Sequence, residues 1–359
     1  SLILGHQTTG TLSSADGNTA VGYAAMDAIT SGDNNVAVGY NALTALDTGQ
    51  KNVAIGQGAL AATDEGLGNI AIGNTAGNGV TTGDYNILIG ENAGAGAITG
   101  TWNIAIGGNT MAAAANGDSN IGIGRNVLNG LTDGIHNCSI GTYSGDAITT
   151  ANYNTAVGSQ ALSACISGSY NTAVGYNALT TNTAANNVAV GKSALAANTT
   201  GVANVAVGYD AMAAMTGNYD RSIAIGFDAM KGSTRNSENI AIGAYAMDGT
   251  ITNASCTQNI AIGTYSMSGA LAGYHNTAVG DGSMKVATSA FDNTAIGNAA
   301  LVALSTGDFN TAVGSYALDA GTSAYRNTCI GYDSGANGVS NGYCVAVGME
   351  TSFGATNST

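Results

Sequence analysis

The chain has 359 residues, of which 54 are glycine and none is proline, and its formal net charge is −14 at pH 7. Hydrophobic residues make up 45% and charged residues 8%, which excludes the highly charged composition of a disordered chain. The acidic excess argues against nucleic acid as a partner, because phosphates are held by Lys and Arg. We expect no membrane insertion either, since the sequence has no run of 18 apolar residues.

A 17-residue repeat, here called a rung, runs through the sequence and is anchored by one glycine per copy. Gly22 is the first full anchor and Gly348 the last, and the spacing departs from 17 at 175–191, 208–226 and 243–263. The last of these steps is an irregular turn of 20 residues. A fixed period of this length is typical of a solenoid. We therefore predict an all-β parallel β-solenoid of about 20 rungs of 17 residues, forming one continuous array over residues 1–359.

The four residues before each anchor glycine predict a short β-strand. Val or Ile precedes the glycine, Ala usually comes before it, Thr, Val or Ile before that, and Asn opens the motif. Alternation puts the Val/Ile pair on one face and Ala on the other. Stacking of equal positions then predicts a Val/Ile ladder inside the coil, an Asn ladder at a corner and a line of glycines. The residues chosen to represent this structural ladder are Asn52, Val53, Ile55, Gly56, Asn171, Val174 and Gly175.

A second apolar element follows each anchor glycine. Ala and then Leu or Met usually occupy the third and fourth positions, as in Ala42 and Leu43, and Gly often occupies the tenth, as in Gly49. Because Gly tolerates positive φ, each rung is predicted to contain a strand, a glycine turn, a second strand or short extended segment, and a polar turn. With Val/Ile inside, the Ala, Leu and Met positions would form an exposed apolar strip that favours side-by-side association.

Two segments resemble a known class of repeats. Asn-Thr-Ala-Val-Gly-Tyr-Asn-Ala-Leu at 171–179 and Asn-Ile-Ala-Ile-Gly at 69–73 resemble the head repeats of trimeric autotransporter adhesins and, more closely, repeats of bacteriophage tail fibres and virus-like surface proteins. The resemblance covers residues 2 to about 353. It implies a left-handed parallel β-roll and a homotrimer of chains packed side by side. The adhesin repeat is shorter, so each rung here has a longer polar turn.

Aromatic residues recur at two register positions. Directly after the anchor lie residues such as Tyr23 and Tyr40. Five residues before the anchor lie the candidates for surface recognition, which are Tyr85, Trp102, Tyr153 and Tyr170. One interpretation is a surface that stacks on sugars or on a host receptor. The other is a ladder of rings that packs along the solenoid or seals an interface between chains.

The sequence offers no catalytic, cofactor-binding or metal-binding site. The five cysteines have irregular spacings without a zinc pattern, and we interpret them as small apolar fillers. His136 and His275 share a register position but lie eight rungs apart. No Ser/His/Asp set and no phosphate-binding loop is present, and the acidic residues lie mostly in polar turns, where we expect solvated charges. We therefore predict that the protein is not an enzyme and needs no cofactor.

These observations favour a structural fibre or shaft of a tail fibre, surface adhesin or extracellular filament, which displays or positions a receptor-binding end. The expected partners are further copies of the chain in a homo-oligomer. The resemblance implies a trimer, and trimers could join end to end into filaments. A cell-surface glycan or receptor is a further expected partner, and the expected location is extracellular, on a cell surface or on a virion. The alternative is a lateral binding module for glycans or a host receptor. An ice-binding lattice is disfavoured, since Thr interchanges with Val and Ile.

Overall fold

The computed structural model describes residues 2–4, 14–113, 115–217, 220–233, 237–249, 256–269, 273–336 and 342–352. Its named elements are three-residue β-strands that end directly before an anchor glycine. The strands are β1 (Leu2–Leu4), β2 (Thr19–Val21), β3 (Val36–Val38), β4 (Val53–Ile55), β5 (Ile70–Ile72), β6 (Ile87–Ile89), β7 (Ile104–Ile106), β8 (Ile121–Ile123), β9 (Cys138–Ile140), β10 (Thr155–Val157), β11 (Thr172–Val174), β12 (Val188–Val190), β13 (Val205–Val207), β14 (Ile223–Ile225), β15 (Ile240–Ile242), β16 (Ile260–Ile262), β17 (Thr277–Val279), β18 (Thr294–Ile296), β19 (Thr311–Val313), β20 (Thr328–Ile330) and β21 (Val345–Val347).

The chain forms two compact units, Ser1–Thr183 and Ala184–Thr359. In the first unit each strand from β1 to β10 pairs in parallel with the next strand. In the second unit the same holds from β12 to β20. The rest of each rung is the crossover that parallel pairing requires. Each unit is therefore a parallel β-solenoid, as predicted from the repeat, whereas the continuous array over 1–359 stays a prediction.

The strands keep equal positions opposite one another. In β4 and β5, Ala54 lies opposite Ala71 and Ile55 opposite Ile72. The register also survives the irregular spacings, since Ile240 lies opposite Ile260 across the 20-residue step. The additional residues of that step therefore lie outside the strands, as predicted. Residues 250–255 of this turn lie outside the described part of the chain.

The strand faces are reversed relative to the sequence prediction. The central Ala54 has no exposed surface, whereas Ile55 is 39% exposed and Val53 is half-buried. The predicted internal Val/Ile ladder is thus wrong. The physical reason is the thin cross-section of the coil. Leu or Met side chains from the opposite wall, such as Leu60, are fully buried and occupy much of the interior. Small Ala side chains leave room for these larger ones, so the exposed apolar strip consists of Val and Ile.

The opposite wall of each rung is not a strand in the described residues. It forms successive turns in which the second and fourth residues after the anchor have left-handed backbone angles, as in Asn41 (φ 55°) and Leu43 (φ 51°). Its N–H groups still bond to the next rung, and Leu43 donates to the carbonyl of Ala59 over 3.0 Å. The predicted second strand is therefore wrong, because these left-handed residues interrupt any extended conformation.

Glycine at the tenth position serves a different purpose from the one predicted. Gly49 is absent from the residues with positive φ. A Cβ on Gly49 would instead lie 2.6 Å from the carbonyl oxygen of Gly66 on the next rung. Close approach of neighbouring rungs selects glycine here. The left-handed residue of the polar turn lies five before the anchor, as in Tyr85 (φ 54°) and Trp102 (φ 62°).

Candidate functional site

The asparagine ladder at the corner of the coil is present as predicted. Asn52 is fully buried, and its Oδ1 accepts bonds from the backbone N–H and the side-chain amide of Asn69, over 2.9 and 3.3 Å. Its Nδ2 donates to Oδ1 of Asn35 over 3.1 Å and to the carbonyl of Gly66 over 2.7 Å. Asn171 repeats the pattern by donating to Asn154 from both nitrogens. Each amide thus joins adjacent rungs and closes the polar turn of its own rung.

The glycine line follows the strands. Gly56 has φ +136°, and a Cβ there would lie 2.2 Å from the carbonyl oxygen of Gly73. Its N–H donates to the carbonyl of Val38 over 2.8 Å. The predicted structural role of Gly56 is therefore supported by both its backbone angle and its contact with the next rung.

The outer face of the strands carries two columns of mostly Val, Ile and Thr side chains, with Leu2 and Leu4 in β1 and Cys138 in β9. The column next to the anchor glycine is the more exposed, and Val174 is half-buried within it. The exposed members of this column are Leu4, Val21, Val38, Ile55, Ile72, Ile140, Val190, Ile225, Ile296, Ile330 and Val347. We call the two columns the Val/Ile face. It carries no charged side chain, so in each unit it is an apolar surface.

The predicted recognition residues form two stacked groups in the first unit. Tyr85 and Trp102 lie on adjacent rungs with ring centroids 4.4 Å apart and planes at 14°. Tyr153 and Tyr170 are 5.2 Å apart at 9°. Trp102 and Tyr170 are each 59% exposed. The structure thus brings each pair together as a ladder, while leaving ring edges and end faces open to solvent.

His136 joins the second group, which the sequence prediction missed. Its ring lies 5.1 Å from that of Tyr153 at 18°, and its side chain is exposed. The signal was present in the sequence, because a step of 17 residues leads from Trp102 through Ser119 to His136. This register position therefore carries an aromatic ring on five of six consecutive rungs, and Ser119 occupies the remaining rung. We call these six residues the aromatic column, and its members are Tyr85, Trp102, Ser119, His136, Tyr153 and Tyr170.

The second unit carries aromatic contacts at the same register position, where the ring of Phe309 meets that of Phe291 edge-on at 5.4 Å, and at other positions as well. Tyr274 stacks on Phe291 at 5.2 Å, and Tyr245 stacks on Tyr265 at 4.9 Å. The guanidinium of Arg326 lies 4.9 Å from the ring of Tyr325. These rings support the interpretation of aromatic residues as axial ladders, and they are less regular than those of the first unit.

Several acidic side chains of the polar turns are hydrogen-bonded to the preceding rung. Oδ1 of Asp84 accepts from the N–H of Leu67, and Oδ1 of Asp118 from that of Thr101, both over 2.7 Å. Oδ1 of Asp308 accepts from the N–H of Phe291 over 3.0 Å. Desolvation raises the pKa of Asp308 above its ordinary value. These carboxylates therefore fix the turns as well as carrying charge, which the sequence prediction missed.

Nothing in the described residues assembles a metal centre, since no group of three or more His, Cys, Asp or Glu is placed to hold an ion. The described part of the chain also contains no helix long and apolar enough to cross a bilayer. The predicted absence of catalytic and cofactor sites stays a prediction.

Comparison with protein-family models gives no match, and comparison with curated protein sequences gives none either. The solenoid of 17-residue rungs is compatible with the resemblance drawn from the repeats. The fold shows a repeat protein and is compatible with a structural role.

Proposed function

We propose that this protein is a structural fibre or shaft element of a tail fibre, adhesin or extracellular filament, which displays or positions a receptor-binding end. The observation that carries the proposal is the Val/Ile face. In its described residues, each unit repeats the same coil with the same outward apolar columns. A repeat array of this kind supplies length and surface rather than a pocket.

Self-association through the Val/Ile face is the expected use of this surface. Strand spacing of about 4.8 Å makes the face roughly 50 Å long in the first unit. Contiguous apolar patches of this extent are unusual on monomers. Further copies of the chain would cover it, and the trimer implied by the repeat resemblance is the proposed assembly, with its location outside the cell or on a virion. Because Ala, Leu and Met are buried, they are no longer the proposed contact.

The proposal is tested by placing charge on the Val/Ile face. Ile55→Lys combined with Ile72→Lys puts two ammonium groups into the proposed contact without touching the core, so we expect the oligomer to dissociate to a monomer. Gln50→Lys is the control for each added positive charge, because Gln50 is exposed on a polar turn. Light scattering coupled to size-exclusion chromatography measures the mass, and electron microscopy shows whether the particles are elongated. A wild-type monomer would contradict the proposal.

A lateral binding module is the second candidate, favoured by the exposed aromatic column. Exposed rings, held in register by a rigid coil, are suited to stacking on sugars or on a receptor. Glycan-array binding that is lost in Tyr153→Ala combined with Tyr170→Ala would support this function. If the chain assembles but binds no glycan on the array, only the structural role remains.

A further inference from the structure

The aromatic column contains a gap whose walls are two aromatic rings. Trp102 forms one wall and is backed by Tyr85, and His136 forms the other and is backed by Tyr153. Ser119, half-buried, lies on the rung between them. All three residues have left-handed backbone angles, with φ of 62° at Trp102, 59° at Ser119 and 56° at His136. The side chains of the three rungs therefore start from equivalent positions.

The width of the gap follows from the solenoid. Adjacent rungs are about 4.8 Å apart, so the backbones of Trp102 and His136 are separated by roughly 9.6 Å, and rings that tilt equally keep the same separation. A ring placed midway would lie about 4.8 Å from each wall, within the range of the observed stacks of 4.4 and 5.1 Å. Carbon atoms in contact are about 3.5–4.0 Å apart, so a flat ring midway between the walls would not touch both of them closely. A pyranose chair is thicker, because its axial hydrogens project from both faces, and it fills the space between the two rings.

We infer that the gap between Trp102 and His136 over Ser119 is a binding slot for one pyranose of the β-gluco configuration. This inference rests on the lateral-binding candidate above and names its ligand. A β-gluco pyranose has equatorial hydroxyl groups and axial C–H bonds on both faces. Both faces can therefore meet the negative π faces of the two walls. Sugars with an axial hydroxyl would place a polar group against one ring without a partner.

A carboxylate next to Ser119 in the chain is the group that we expect to meet the equatorial hydroxyls. Asp118 is exposed and precedes Ser119 in the chain. Its Oδ1 accepts bonds from the N–H and the hydroxyl of Thr101. Within the described residues no hydrogen bond is assigned to its Oδ2, so this oxygen can accept from a sugar hydroxyl. A few polar groups beside apolar walls are the usual composition of a ligand site.

The single tryptophan makes the slot directly measurable. Trp102 is the only tryptophan of the chain, so intrinsic fluorescence reports on this wall without labelling. Titration of the full chain with cellotetraose should give a saturable change with a dissociation constant in roughly the millimolar range, as expected for one small contact. Mannotetraose, with axial hydroxyls, should bind at least about tenfold more weakly.

Ser119→Tyr is the decisive variant, because it completes the column with the residue found at Tyr153 and Tyr170. We expect it to weaken cellotetraose binding at least about tenfold, since the new ring occupies the slot. Lys51→Tyr is the matched control, because Lys51 has the same register position and φ 58°. It should leave binding unchanged. His136→Ala removes one exposed wall and should also weaken binding.

The outcomes separate the slot from the wider proposal. Absence of a saturable signal with wild-type protein, or unchanged binding in Ser119→Tyr, overturns the slot. If Ser119→Tyr retains glycan-array binding that Tyr153→Ala with Tyr170→Ala abolishes, the lateral module survives and the slot does not. Loss of cellotetraose binding in Ser119→Tyr and in His136→Ala, with unchanged binding in Lys51→Tyr, supports the slot. Circular dichroism of each variant confirms that the coil is retained.

Discussion

Gly56 shows how one residue type is selected at the anchor of the rung. Its φ of +136° is a region that side-chain-bearing residues rarely adopt, and a Cβ would lie 2.2 Å from a backbone oxygen. We expect Gly56→Ala to lower the free energy of unfolding by about 3 kcal/mol or more, from backbone strain and displacement of the next rung. The midpoint of guanidinium unfolding, followed by Trp102 fluorescence in the first unit, measures the change.

Gly58 provides the control for this prediction. It also has positive φ, at +65°, but its Cβ would meet only a methyl group of Thr75 at 3.6 Å. Other rungs carry alanine there, as in Ala24 with φ 52°. Gly58→Ala should therefore cost only about 1 kcal/mol. Equal effects of the two substitutions would mean that contact between rungs does not determine the anchor.

The buried thiols give a second prediction at the residue scale. Burial raises the pKa of Cys165 to about 11 and that of Cys256 to about 12. A raised pKa keeps these groups as neutral thiols at pH 8, and the thiolate is the reactive form. We expect 5,5′-dithiobis(2-nitrobenzoate) to leave them unmodified in the native protein and to label them after denaturation. Mass spectrometry of labelled peptides locates the adducts, and the half-buried Cys344, which lies outside the Val/Ile face, is the internal comparison. Native labelling of Cys256 ahead of Cys344 would contradict the prediction.

At the scale of the element, a larger core side chain on the strand is balanced by a smaller one on the opposite wall of the same rung. Leu88 replaces the usual strand alanine, and the fourth position after the next anchor is Gly94 instead of Leu or Met. A Cβ on Gly94 would lie 2.7 Å from Cδ2 of Leu88. The large side chain has moved from one wall of the coil to the other, which keeps the packed volume nearly constant.

A double-mutant cycle tests this compensation. Leu88→Ala should cost about 3 kcal/mol by leaving a cavity, and Gly94→Leu alone about 2 kcal/mol by overpacking. The double variant restores the pair found in other rungs, such as Ala54 with Leu60 (φ 50°). We expect it to recover at least about 2 kcal/mol relative to the sum. Additive costs from guanidinium unfolding would show that the two walls are not coupled.

The same packing explains what could be predicted from the sequence at this scale. The strands, their parallel order and the Asn52 ladder follow from the period and from alternation, which act locally. Which strand face lies inside does not follow, because Ile55 and Ala54 are both apolar. The choice depends on the volume that Leu60 brings from the opposite wall. Likewise, the bond from Leu67 to Asp84 joins residues on different rungs and has no local signal.

The candidate site was predictable to a similar extent. Tyr85, Trp102, Tyr153 and Tyr170 share a register position, so their stacking follows from the repeat. The left-handed backbone at this position was not predictable, because Tyr and Trp do not favour positive φ. The gap over Ser119 could be recognised only from the spacing between rungs, because that spacing sets the distance between the rings on either side.

At the scale of the whole molecule, charge and apolar surface oppose each other. The formal net charge of −14 makes copies of the chain repel one another, whereas the Val/Ile face is uncharged and favours association. Acidic residues such as Asp84 lie in the polar turns, away from that face. Association should therefore depend on how far the repulsion between turns extends through the solvent.

Salt should strengthen the assembly. The Debye length falls from about 30 Å at 0.01 M to about 10 Å at 0.1 M salt, so repulsion between acidic turns fades while apolar contact persists. We expect the oligomer fraction in sedimentation velocity to rise severalfold over this range at fixed protein concentration. The Ile55→Lys and Ile72→Lys combination should stay monomeric throughout, because its contact face is charged. Dissociation of the wild-type oligomer by salt would instead indicate an interface of ion pairs and would remove the Val/Ile face from the assembly.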